Sequence, residues 1–157
     1  MRNRGRKGVF SRSLLLGLCL CFFPSLGQAA FHLQVRVLPS GEILWERPLA
    51  VSEPIILMHR NSIYGVTVRE TLQLKENGAL WLVRIQSPSP AVLEYYGLEA
   101  ATADWIDLCR RIGSLQVLVT SAGEFRLEFT NEAFPLSQRV AEGSRIEIRA
   151  VPHVRGP

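Results

Sequence analysis

Cysteine is nearly missing from most of this chain: of its three, Cys19 and Cys21 lie in the first 30 residues and only Cys109 comes later. A domain built from the later residues therefore has no intramolecular disulfide, and its stability must come from an apolar core. Lysine is as scarce, with Lys75 the only one after Lys7; the other cations of that part are arginines. No Gly-rich phosphate loop follows any strand pattern, so nucleotide binding has no support. No second histidine or cysteine stands at metal-ligand spacing from His59, while His32 and His153 lie near the two ends of the mature chain. Neither a metal site nor a cofactor is expected. Long apolar runs are missing too: the longest, Leu14 to Phe23, spans about ten residues, where a membrane-crossing helix needs roughly 20.

What the first 30 residues do contain is distinctive. Arg2, Arg4, Arg6, Lys7 and Arg12 precede the short apolar run with no acid among them, and Pro24 ends it before Gly27 and Ala29. A basic start, a short apolar stretch and a small-residue exit make a secretory signal. Residues 1–30 are read as that signal, cut after Ala29, and the protein as periplasmic or secreted. An uncleaved segment anchoring it to the inner membrane is the alternative, and then the only membrane contact. Leucine before Cys19 and Cys21 does not suit a lipidation site, and no arginine pair suggests the twin-arginine route.

Removing that segment changes the charge. The whole chain is +4, but five of its 18 basic residues lie there, leaving 13 against 14 acids, a net charge near −1. The basic character belongs to targeting, and no basic patch argues for nucleic acid. Residues 31–157 suffice for one domain.

The dominant period in that domain is two. Phe31, Leu33, Val35 and Val37 alternate with polar residues, and Pro39-Ser40-Gly41 then supplies a turn. Ile43 to Trp45 is a short run, Pro48 and Pro54 bracket a connection, and Ile55 to Met58 is a continuous apolar strand. Alternation runs from Ser62 to Leu74, Asn77-Gly78 is a hairpin signal, and Leu80 to Ile85 returns as partner. Leu115 to Val119 and Phe125 to Phe129, around Ala122-Gly123, predict a second hairpin, and Ile146 to Ala150 closes the chain. Ser87-Pro88-Ser89-Pro90 reads as a rigid extended loop. Thr102 to Ile112 fits a helix capped by Thr102, with Trp105, Cys109 and Ile112 on one face; a strand through Trp105 to Leu108 is the rival. Short strands with at most one short helix predict a mainly β fold, an antiparallel β-sandwich or a small open barrel.

One residue breaks the pattern. Tyr64, Val66, Val68, Glu70, Leu72 and Leu74 form the apolar face of the long alternating strand, and Glu70 is its only charge. A carboxylate on a core face must pair, protonate or line a wet cavity. A bulge that turns it outward, or an ion pair with Arg60 or Arg84, are structural explanations. The functional one is a polar pocket in which Glu70 meets Ser62, Asn61 or His59 and holds a ligand, with Tyr64 on the same face. Ser62, His59 and Glu70 also invite a hydrolase reading, although no G-x-S-x-G elbow is present and His59 would need a sharp turn to reach Ser62. The scattered aromatics fit core or rim positions, and Tyr95-Tyr96-Gly97 fits a lip over a pocket.

Ser62-Ile63, then Thr67-Val68, then Glu70 eight residues after the serine, resemble the motif of the bacterial family known as domain of unknown function 1850. Leu115 to Val119, Phe125 to Phe129, Pro135-Leu136 and Gly143 before Ile146 to Ile148 extend that similarity over most of residues 42–151. Asn61 stands where the family usually has histidine, with His59 two places earlier. The resemblance implies a small, exported or membrane-anchored, β-rich protein, often encoded beside tripartite solute transporters. The readings that follow are a non-enzymatic accessory or binding domain linked to periplasmic solute uptake, partnered by a transporter component or a small-molecule ligand; a serine hydrolase; and a purely structural envelope protein.

Overall fold

The computed structural model describes residues 30–98 and 105–153. The expected signal, up to Ala29, lies outside the described residues, as do residues 102–104 of the expected helix.

The period of two becomes nine antiparallel strands. They are β1 (Phe31–Leu38), β2 (Ile43–Leu49), β3 (Pro54–Arg60), β4 (Thr67–Leu74), β5 (Leu80–Gln86), β6 (Ile106–Leu118), β7 (Arg126–Glu128), β8 (Ala133–Phe134) and β9 (Arg145–Pro152). Two short helices join them, α1 (Pro90–Tyr95) and α2 (Leu136–Arg139). The strands form a single sheet in the order β2-β1-β9-β6-β5-β4-β3-β7-β8, curled into a half-barrel. Of the two expected architectures, the open barrel is the one formed.

Strand β6 makes the curl continuous. Up to Gly113 it pairs with β5, and from Ser114 onward with β9, so one strand serves both halves. Gly113 carries the change at φ +70°, a conformation open to glycine at little cost. In β5 a bulge at Val83 lets Leu80, Leu82 and Ile85 all turn inward despite their uneven spacing. The buried core gathers Leu33 and Val35 from β1, Ile55 and Leu57 from β3, Leu72 and Leu74 from β4, and Ile146 and Ile148 from β9. Each such side chain withdrawn from water contributes about 1.5–3 kcal/mol before chain entropy is set against it.

The two edge strands, β2 and β8, meet through side chains. Trp45 stacks on Phe134 at 4.8 Å and tilts against Phe129 at 5.6 Å. Arg47 lies over the Phe129 ring at 4.3 Å and pairs with Glu132 at 3.1 Å. Pro48, expected in a connection, lies within β2, where an edge strand tolerates a residue without an N–H.

Three further expectations are corrected. Of the two readings of residues 102–112, the helix gives way to its rival, and the strand runs further than Leu108: Ile106 to Ile112 has β5 to pair with, and the Trp105-Cys109-Ile112 spacing is incidental. Strands β6 and β7 do not form a hairpin. A 3₁₀ turn at Ser121–Gly123 and a left-handed Glu124 swing the chain away, so that β7 pairs with β3 and β8. The proline-rich loop is extended only up to Ser89, because Pro90 sits at the first turn of α1, where its missing N–H costs nothing. Helix α1 lays Val92 and Leu93 on Val68 and Ile85 and so caps one end of the half-barrel.

Candidate functional site

The site forms where β3 and β4 deliver their inward faces beneath α1. On β3 these are Ile55, Leu57 and then His59; on β4 they are Val68, Glu70, Leu72 and Leu74. Glu70 stands opposite Leu57 on one side and Ile85 on the other, and is only 7% exposed. His59 faces Val68, one diagonal step from Glu70, within reach of a long side chain across an antiparallel pair.

Two side chains converge on one carboxylate oxygen. The Tyr96 hydroxyl donates to Glu70 Oε1 at 2.6 Å, and His59 Nε2 lies 3.1 Å from the same oxygen. Burial first, and then the adjacent Glu70 charge, push the Tyr96 hydroxyl far above its usual pKa, so it remains a donor. Tyr96 follows directly on α1, and Arg110 of β6 donates to its carbonyl at 2.8 Å. His59 in turn stacks on Phe125 with ring centroids 5.5 Å apart and nearly parallel planes. The buried carboxylate thus ties β3, β4 and the end of α1 together, the satisfied arrangement that burial demands.

The other sequence-predicted residues lie elsewhere. The long strand begins at Thr67, and Asn61 to Val66 form the β3–β4 turn, closed by Asn61 N–H donating to the Val66 carbonyl at 2.8 Å. Asn61 Oδ1 accepts from the amides of Ile63 and Tyr64, both at 3.0 Å, a local turn that releases the chain from the sheet. Ser62 and Tyr64 are consequently exposed, and Tyr64 is not on the core face. Among the described residues no hydrogen bond joins Ser62 to His59. Of His59, Asn61, Ser62, Tyr64 and Glu70, His59 and Glu70 meet side chain to side chain, while Asn61 reaches only the backbone of its own turn. Nor do the expected arginines reach Glu70: Arg60 donates to the Gly65 carbonyl and Arg84 to Asp107. Tyr96, Phe125 and Arg110 complete the cluster unannounced by any motif, although Tyr96 belongs to the lip expected at residues 95–97.

His32 and His153, distant in sequence, come together because β1 and β9 are antiparallel neighbours. Their rings lie 4.6 Å apart and His32 Nδ1 is 2.8 Å from Glu46 Oε1. Hydrogen bonds from Gln34 and His32 hold Glu46 below the usual carboxylate range. Among the described residues no group of three histidine, cysteine, aspartate or glutamate side chains is arranged to hold a metal. Cys109 is exposed, and no described helix is long and apolar enough to cross a membrane.

No family model matches the chain, and neither a curated protein nor a solved structure does.

Proposed function

We propose that this protein acts after export as a non-enzymatic accessory or binding domain in periplasmic solute uptake, meeting a transporter component at the α1 end of its half-barrel. The observation that carries this reading is the division of the predicted site. Glu70 is bound to both His59 and Tyr96 in the interior, while Ser62 stays on an exposed turn. The chemistry-bearing groups are spent on holding that end of the barrel together, and exposed apolar side chains stand on the turn and on α1 beside polar ones such as Arg60 and Glu94. Ile63 is 82% exposed, Tyr64 48% and Tyr95 86%. Val66, at the foot of the turn, packs in the same cluster as Val92 and Leu93, so turn and helix share that end. Exposed aromatics and aliphatics on a turn and a helix that share one end favour a binding surface over a merely solvated one. The basic and apolar N-terminal segment and the resemblance to domain of unknown function 1850 supply the compartment and the link to uptake.

The test is cross-linking in cells of the native host, followed by mass spectrometry of whatever is captured. Capture of a transporter component that disappears in Ile63→Ser/Tyr95→Ser is expected. Equal capture by the double variant, or labelling of Ser62 by a serine-directed phosphonate, overturns the reading.

A further inference from the structure

A groove of about 280 Å³ lies on the outer side of β3 and β7, between the 3₁₀ turn and α2. Met58, Phe125 and Pro135 give it an apolar floor, and Glu124, Arg126 and Gln138 are among its polar walls. Met58 and Arg126 are register partners, so they project from the same face of the sheet. The walls carry one charge of each sign. Arg126 spends one nitrogen on Glu128, at 2.5 Å, and its side chain is 45% exposed. No ion pair engages Glu124 among the described residues.

The backbone here is unusual as well. Glu124 adopts φ +46° and ψ 43°, a left-handed conformation uncommon for a glutamate. Gly123 before it lies under the Phe125 ring, which occupies the place where a Cβ would go. A strained, non-glycine residue that lines a cavity is a pointer to function.

We infer that this groove binds a small zwitterion with an apolar side chain, an α-amino acid or a compound of like size. Glu124 receives the ammonium, Arg126 the carboxylate, and Met58, Phe125 and Pro135 the side chain. The volume lies just below the roughly 300–1,000 Å³ of drug-sized ligand pockets, in keeping with a smaller ligand, and a few polar groups beside an apolar lining are their usual make-up. The inference rests on the binding reading above and adds the ligand class. It also joins the groove to the interior: Phe125 forms the floor on one face and stacks on His59, the partner of Glu70.

The experiment is a ¹H–¹⁵N titration of the domain from residue 30 onward, produced by export of the full chain, with L-leucine as probe. Shifts are expected at the Phe125, Arg126 and Ser137 amides. N-acetyl-L-leucine, without the ammonium, and L-leucinamide, without the carboxylate, are expected to bind about tenfold or more weakly, as loss of a charged hydrogen bond implies. Glu124→Gln, an exposed change that leaves the fold intact, is expected to remove the discrimination against N-acetyl-L-leucine, and Arg126→Gln that against L-leucinamide. No shifts with L-leucine, shifts away from the groove, or equal binding of the three probes overturns the inference. Cellular capture of the partner by Glu124→Gln separates the two proposals: retained capture with a silent groove leaves the accessory reading standing alone.

Discussion

Tyr96→Phe removes a single hydroxyl from the capped end of the half-barrel. That hydroxyl donates to Glu70 Oε1 at 2.6 Å, the carboxylate is 7% exposed, and the Tyr96 ring packs against both apolar clusters. A hydrogen bond to an ionised group contributes about 1.5–3 kcal/mol net, and shielding from water on both sides places this one at about 2 kcal/mol. Glu70→Gln keeps an oxygen able to accept in the same position but gives up the charge, so its expected cost is smaller, about 1 kcal/mol. If both changes act through one bond, the double variant loses less than the sum, with a coupling of about 1 kcal/mol. Urea unfolding followed by the fluorescence of Trp45, Trp81 and Trp105 reads these differences, provided the denaturant slope stays constant. Tyr96→Phe within about 0.5 kcal/mol of the parent, or additivity within about 0.3 kcal/mol, would refute the description of Glu70 as the hub of that end.

Gly123→Ala drives a methyl into the Phe125 ring and is expected to cost about 1–3 kcal/mol, with loss of the ring-current shifts that His59 and Phe125 impose on each other; an unchanged melting curve counts against the close approach. Trp45→Ala empties a half-buried position at the seam and is expected to cost about 2 kcal/mol and to speed proteolysis near β8, so protease resistance equal to the parent's would show that the seam closes by other means. The Ser114 hydroxyl, and then Arg36, hold Glu147 below its usual value of 4.5, while Arg69 and Arg126 outweigh the effect of burial and lower Glu128 likewise. Folded values below unfolded ones mean stability that is present above about pH 4.5 and lost as the pH falls through the lower folded values. Melting temperature against pH is therefore expected to drop below about pH 4.5, more gently in Glu147→Gln, and an identical acid limb in that variant would dismiss Glu147 as its source.

Much of the half-barrel was legible because its strands are amphipathic. On β4 each even position from Val68 to Leu74 is buried, and Glu70 could be placed indoors from the alternation alone. Asn77-Gly78 marked the β4–β5 turn, where Gly78 takes φ +78°. The failures have physical causes of their own. Bulges between β5 and β6 break the alternation through Cys109, Arg110 and Arg111, leaving a spacing that suits a helix as well as a strand. The hairpin expected at Ala122-Gly123 failed because turn residues show that a chain reverses, not which neighbour it then joins; β3 had a free edge and took β7. The site was half legible. His59 and Glu70 lie on adjacent strands whose register follows from their turn, whereas Tyr96 reaches Glu70 only because α1 folds back over the barrel end. No local pattern carries that information.

The antiparallel neighbours β1 and β9 bring the ends of the described chain side by side, with His153 N–H donating to the Ala30 carbonyl at 2.8 Å. The Phe31 ring lies against Gly78 in the β4–β5 turn, so this junction sits at the end of β4 opposite the Asn61–Val66 turn. Eight residues of β4 separate the two, a span of roughly 26 Å at strand rise. The domain therefore has a heel and a toe. A tether attached at Ala30 would hold it by the heel, and Ile63 and Tyr64 would then face outward from the anchoring surface.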